Sequence, residues 1–164
     1  MRASRGFTLI ELIVGMVVFS IAVVLLSTVL FPQSDNAAKT LQRVRAAELA
    51  QSVMNEIWGK AYDENTPLSG IPACGSADGL ACSTVLGPDG NESRDDFDDV
   101  DDYNGMTETA LRLNSNRSYA DDYPGYQLLV TVSHDVNANT KLIHVVVTTP
   151  QNEPIAFDAL RSNF

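Results

Sequence analysis

Basic residues are scarce in this 164-residue chain, and the shortage excludes one large class of function. Only 11 Lys and Arg side chains stand against 21 Asp and Glu, which gives a formal net charge of −10. Binding to a nucleic-acid backbone requires clustered Lys and Arg. We therefore expect no nucleic-acid partner, and the acidic balance is typical of a soluble, exported surface.

Residues that carry common catalytic chemistry are also few. The two histidines, His134 and His144, fall on or beside predicted strands, where a histidine is more often structural than catalytic. The sequence contains no Gly-x-Ser-x-Gly elbow, no phosphate-binding glycine loop and no paired-His zinc motif. We expect that the protein is not an enzyme.

Charged residues are missing altogether between Leu12 and Ser34. As a helix this run of about 23 residues covers about 35 Å, enough to cross the hydrocarbon core of a membrane with some tilt. Arg2 and Arg5 precede the run and Asp35 follows it. The positive-inside rule then predicts a single span with the amino terminus in the cytoplasm and a periplasmic or extracellular head of one modest domain.

One carboxylate, that of Glu11, stands at the head of this apolar run. An ionised group at membrane depth costs a few kcal/mol even on the milder insertion scales. Glu11 therefore needs either a partner that neutralises its charge or access to the lipid headgroups, as in an ordinary membrane anchor.

The residues around Glu11 carry a family resemblance. A short basic leader is followed by Gly-Phe-Thr-Leu-Ile-Glu at residues 6–11 and then by the apolar run. This order resembles the processing site of type IV prepilins and type II secretion pseudopilins. The resemblance implies a cleaved leader over residues 1–6, cleavage between Gly6 and Phe7, and N-methylation of Phe7. A cationic amine on Phe7 of one subunit could then pair with Glu11 of its neighbour, so that assembly neutralises the buried charge.

The resemblance also implies partners and a location. The partners are other pilin subunits through the amino-terminal helix, the prepilin peptidase that also methylates, and an inner-membrane assembly platform. The location is the inner membrane first and the pilus or cell surface afterwards. Most of the chain, including residues 45–52 and 157–164, further resembles minor prepilins of the mannose-sensitive haemagglutinin pilus system, which implies surface attachment and a role in starting or capping a pilus. Two alternatives stay open: a pseudopilin of a type II secretion system, and a single-span periplasmic ligand-binding protein.

Helical periodicity continues past the apolar run. We predict a transmembrane helix over residues 7–34 and an amphipathic helix over residues 35–60, with Pro32 kinking or breaking the rod between them. The expected buried stripe of the second helix recurs every three or four residues. Its members are Ala38, Leu41, Val44, Ala47, Ala50, Met54 and Ile57.

Beyond the helix, residues 61–164 are expected to form the head. Residues 61–118 are rich in Gly, Pro, Asp, Asn and Ser and predict long loops, with a short strand at residues 110–113. Alternating apolar residues predict an antiparallel sheet over about 124–160: a hairpin and then a third strand at residues 155–160. The predicted fold is α+β and pilin-like, with a long amino-terminal helix packed on a carboxyl-terminal antiparallel sheet.

Cys74 and Cys82 are the two cysteines of the chain. In an oxidising compartment we expect them to form a disulfide that closes a short loop. Zinc is the weaker alternative, because two thiols without a nearby histidine make only half a site.

An acidic run over residues 95–104 is the last unusual feature. Closely spaced oxygen ligands suit calcium, and Asp99, Asp101 and Asn104 are the candidate ligands. The spacing departs from the EF-hand pattern, because Tyr103 occupies the fifth position of the loop that would start at Asp99. A solvated acidic loop without calcium stays the alternative.

Overall fold

The structure is a computed structural model and describes residues 6–90, 92–135 and 139–163. The predicted leader therefore lies outside the described residues, except for Gly6. The described chain contains the helix α1 (Leu9–Trp58), a short 3-10 turn (Asp101–Tyr103), the one-turn helix α2 (Tyr119–Asp122) and three strands. The strands are β1 (Gln127–Asp135), β2 (Thr140–Thr148) and β3 (Pro154–Ser162). A long apolar helix followed by an antiparallel sheet confirms the predicted α+β, pilin-like fold.

Helix α1 is a single element of 50 residues. It is continuous through Pro32, so of the predicted kink or break at this residue the break does not occur. A proline removes one backbone donor, and the turns on either side of it can keep their own hydrogen bonds. Helix α1 ends where the amides of Gly59 and Lys60 turn back onto the carbonyls of Glu56 and Ile57.

The chain divides into two compact units, Met1–Leu41 and Gln42–Phe164. The described part of the first unit is the apolar portion of α1 with the residues that precede it. The second unit contains the end of α1, the irregular segment and the whole sheet.

The sheet has the strand order β1-β2-β3, and both pairs are antiparallel. Val145 of β2 lies opposite Val130 of β1 and Phe157 of β3, which sets the register of all three strands. Side chains of β2 alternate strictly between buried and half-buried positions. The hairpin and the third strand predicted from the two-residue alternation are thereby confirmed; the turn residues 136–138 between β1 and β2 lie outside the described residues.

The core of the second unit lies between the last turns of α1 and one face of the sheet. The buried stripe of the helix is shifted from the predicted one: Leu41 is 63% exposed and Val44 is 53% exposed. Apolar residues occupy more than one face of this helix, so periodicity alone could not decide which face meets the sheet. The helix residues that are buried are Ala46, Leu49, Ala50, Val53, Met54 and Ile57.

The segment over residues 61–118 is irregular, as predicted, but it is well packed. Phe97, Val100, Tyr103 and Met106 are all buried in the core shared by helix and sheet. The short strand predicted at residues 110–113 is absent from the described chain, where only an isolated bridge joins Leu111 to Ser118. A lone bridge has no neighbouring strand to extend it, so the local pattern does not grow into a sheet.

Candidate functional site

The amino terminus of α1 is closed by a reciprocal cap between Thr8 and Glu11. The Glu11 carboxylate Oε2 accepts bonds from the Thr8 backbone amide at 3.2 Å and from the Thr8 hydroxyl at 3.1 Å. The Glu11 amide donates in return to Thr8 Oγ1 at 3.3 Å. This arrangement is a capping box, and it places a carboxylate where the helix dipole favours negative charge.

The capping role of Glu11 is readable in the sequence as Thr-x-x-Glu directly before an apolar run. The cost of a charge at membrane depth does not by itself point to this cap. It predicts only that Glu11 has a partner in another subunit or contacts the lipid headgroups. The structure shows that the Glu11 side chain already has a local partner within its own subunit. Next to the cap, the side chain of Phe7 is 88% exposed, and Gly6 is exposed as well.

The apolar part of α1 presents large hydrophobic side chains around its circumference. From Leu9 to Leu30 these side chains are exposed in the chain described here. The helix is long and apolar enough to cross a membrane, judged by length and composition. Exposed apolar surface on this scale is typical of segments that contact lipid or partner helices.

One comparison with known proteins finds a sequence motif in this part of the chain. Residues 1–27 match the profile described as the prokaryotic N-terminal methylation motif. No curated protein and no solved structure matches the chain. The motif supports the general role of a type IV pilin-like or pseudopilin subunit. Subunits that carry this motif are structural, and the motif implies interaction with a prepilin peptidase and with other subunits. The motif and the apolar helix together fit a membrane-anchored protein.

The head contains a fully buried lysine, Lys141, on β2. Its Nζ lies 2.7 Å from Oδ2 of Asp101 and 3.3 Å from Oδ2 of Asp63. Both carboxylates are buried too. A buried lysine requires such partners, because a lone charge in the interior would be strongly unfavourable. The sequence did not predict this cluster, since its three members are far apart along the chain.

The candidate calcium ligands all have partners within the protein. Oδ1 of Asp99 accepts the backbone amides of Asp101, at 2.6 Å, and of Asp102, at 3.2 Å. Oδ2 of Asp101 pairs with Lys141, and Oδ1 of Asn104 accepts the amide of Val132. Calcium binding at Asp99, Asp101 and Asn104 therefore stays a prediction, and an ion would have to replace some of these contacts.

Burial shifts the pKa of two carboxyl groups in this acidic run. Burial, together with the neighbouring carboxylates of Asp101 and Asp102, raises the pKa of Asp99 to about 7. Burial also raises the pKa of Asp101, against the opposing influence of Lys141. In contrast, hydrogen bonds from the amides of Ser83 and Asn65 hold the pKa of Asp63 below its usual range despite its burial. The interior of the head therefore holds one carboxyl, Asp63, whose ionised form is favoured by hydrogen bonds, beside carboxyls whose neutral form is favoured by burial.

Cys74 and Cys82 form a disulfide bond, as expected. The side chain of Asn163, next to the end of the chain, donates a 2.9 Å bond to the Cys74 carbonyl. The disulfide loop is thereby attached to the residues that follow β3. Asp63 lies close to both sulfurs, but a bonded pair of cysteines offers no thiolate to a metal ion.

A second acidic group is formed by Glu64, Glu92 and Asp98. Their carboxylate oxygens lie within 4.8 Å of one another. Glu64 and Asp98 also line a pocket of about 370 Å³. The Asp98 charge is the largest cause of the raised pKa of Glu64. Like charges this close repel each other, so the group is electrostatically unfavourable while all three carboxylates are ionised.

Proposed function

We propose that this protein is a minor type IV prepilin that is processed, held in the inner membrane and then incorporated into a pilus. Cleavage between Gly6 and Phe7 removes the leader, and methylation modifies the new amino terminus at Phe7. The amino terminus faces the cytoplasm and the head the periplasm until assembly carries the subunit to the cell surface. The observation that carries this proposal is the methylation motif over residues 1–27, which includes most of the exposed apolar surface of α1.

The proposed assembly contact is an ion pair between the Phe7 amine of one subunit and Glu11 of the next. Both bonds that Glu11 accepts from Thr8 end on Oε2. A carboxylate can accept about four hydrogen bonds, so Oε1 is available for a donor from another subunit. Such a pair would neutralise the charge of Glu11 inside a bundle of apolar helices and would fix the axial register between subunits.

The finer assignment is to a minor subunit of a pilus resembling the mannose-sensitive haemagglutinin system, where the protein starts or caps the fibre and supports surface adhesion. The support is the sequence similarity at residues 45–52 and 157–164 together with the large, irregular and acidic head. A pseudopilin of a type II secretion system shares the same methylation motif and is the alternative.

The first test is mass spectrometry of the amino terminus from native membranes, with and without the prepilin peptidase. We expect a chain that begins with N-methyl-Phe7 only when the peptidase is present. An intact leader in both strains would contradict the proposal and favour a single-span periplasmic binding protein. A deletion strain then separates the two filament systems: loss of surface pili with normal protein secretion supports the minor pilin, and the reverse supports the pseudopilin.

A further inference from the structure

The side chains of Lys141 and Asp101 are buried and in contact, as an amine and a carboxyl must be in order to form an amide. The Lys141 amine nitrogen lies 2.7 Å from Oδ2 of Asp101, and the two side chains are 0% and 3% exposed. Lys141 is fixed on the central strand of the sheet by the pairing of β2 with β1 and β3. Asp101 is held by the 3-10 turn that it begins. The amine and the carboxyl are therefore held in contact, which greatly favours a reaction between them.

A third group, Asp63, is placed to take a proton from the Lys141 nitrogen. Oδ2 of Asp63 lies 3.3 Å from the Lys141 nitrogen. The Asp63 carboxylate is itself oriented by the backbone amide and the hydroxyl of Ser83, at 3.0 to 3.2 Å, and by the amide of Asn65 at 3.1 Å. A carboxylate that touches the amine and is held by three donors has the position and the preorganisation of a general base.

The surroundings exclude water from this group. The ring of Tyr62 lies over the Lys141 nitrogen, 4.4 Å from its centroid, and the Tyr62 carbonyl accepts one of its hydrogen bonds. Within the described chain, neither oxygen of Asp101 accepts a well-aligned hydrogen bond, so its ion pair with Lys141 is what compensates its burial. A buried carboxyl without such donors is more stable as the neutral acid, which is also the electrophilic form.

We propose that Lys141 and Asp101 join through an intramolecular isopeptide bond, with Asp63 as the catalytic residue that takes the proton from the attacking nitrogen. The pair starts as an ammonium and a carboxylate. The Lys141 nitrogen first passes one proton directly to Asp101 across their 2.7 Å contact, which gives a neutral amine and a carboxylic acid. The amine then attacks Cγ of Asp101, and Asp63 carries a second proton from nitrogen to the departing hydroxyl.

The products are one amide and one water molecule, so the reaction needs neither an oxidant nor a reductant. The new bond would link the 3-10 turn to the central strand of the sheet. It would close a covalent loop from Asp101 to Lys141 and exclude the intervening residues from any extension of the head under tension. The proposed bond does not depend on which filament the protein joins.

A peptide map of the full chain tests the proposal. The protein is purified from membranes in detergent, its disulfide is reduced, and it is digested with trypsin. We expect residues 95–112 joined to residues 118–161, with no cleavage after Lys141 and a mass lower by one water molecule than the sum of the two parts. Free peptides 95–112 and 118–141 would overturn the proposal, as would a link from Lys141 to the peptide 61–94, which contains Asp63.

Variants separate the chemistry from the fold. Lys141→Arg keeps a cation but lacks the nucleophilic amine, so this chain should have its full mass. Asp63→Asn keeps a hydrogen-bond acceptor but not the base, and we expect at least a tenfold loss of the linked peptide. Asp95→Asn is the matched control, because Asp95 is exposed and lies in the same tryptic peptide, and it should link normally. Equal linkage in the Asp63→Asn chain would contradict the role of Asp63. If a variant fails to fold, the peptide map of the wild-type chain still tests whether the bond exists.

Discussion

The phenol of Tyr103 donates a 2.7 Å hydrogen bond to Oε1 of Glu56, and this bond joins the irregular segment to helix α1. The same carboxylate accepts the hydroxyl of Tyr119 at 2.9 Å and pairs with Arg94. The guanidinium of Arg94 lies over the rings of Phe97 and Tyr103. Glu56 thus organises much of the segment that the sequence predicted only as long loops.

Removing one hydroxyl from this network should destabilise the head measurably. Tyr103→Phe keeps the ring in the core but deletes one donor to Glu56, so we expect a loss of about 1 kcal/mol in the free energy of unfolding. Thermal unfolding of the full chain in detergent measures the change. Tyr123→Phe is the matched control, because Tyr123 is only partly buried and lies outside the contacts of Glu56. An equal loss of unfolding free energy in both variants would show that the hydrogen bond to Glu56 contributes no measurable stability of its own.

Glu11→Ala should leave processing largely intact and strongly reduce incorporation into filaments, because it deletes the proposed partner of the Phe7 amine. The measurement is the ratio of processed subunit in sheared filaments to that in membranes. Thr8→Ala is the informative control, since it removes hydroxyl contacts of the cap and keeps the carboxylate. If Thr8→Ala is as defective as Glu11→Ala, the defect comes from the lost cap and the proposed ion pair is contradicted.

The head should lose stability as the pH rises from about 4 to about 7. The pKa of Asp99 is raised to about 7 in the folded protein, so the folded state holds a proton that the unfolded state has released. Stability from this group is fully present below the unfolded pKa and disappears as the pH passes the folded one. Melting temperatures recorded across this range should fall by several degrees. The Asp99→Asn chain should show a flatter profile, and an unchanged slope would exclude Asp99 as the cause.

Calcium binding, predicted from the acidic run, is tested by the melting temperature with calcium and with a chelator. An ion that binds only the folded state raises the melting temperature by mass action. The prediction is a rise that is lost in Asn104→Ala, because Asn104 is a proposed ligand outside the pair with Lys141. A rise that survives in Asn104→Ala but is lost in Glu64→Gln would instead place calcium at the group of Glu64, Glu92 and Asp98.

The strands were predictable because their signal is local. Side chains in a strand alternate between two faces, so the order of apolar residues around Val130 and Val145 already specifies which face is buried. The capping box of Thr8 and Glu11 is equally local and could have been read from its spacing. The stripe of α1 was only half predictable. The burial of Ala50 was predicted correctly but that of Val44 was not. Small and apolar residues lie on several faces of this helix, and only packing against the sheet selects the face that is buried.

The sequence by itself determined the apolar helix, its methylation motif and the three-stranded sheet, since each depends on residues that are neighbours along the chain or on one repeating period. The tertiary structure alone decided that Asp63, Asp101 and Lys141 meet in the interior, and that Glu56 joins the loops to the helix. These contacts link residues 38 or more positions apart. Which distant charges become partners depends on how helix, loops and sheet pack, because burial makes every unpaired charge costly and leaves only the paired arrangement stable.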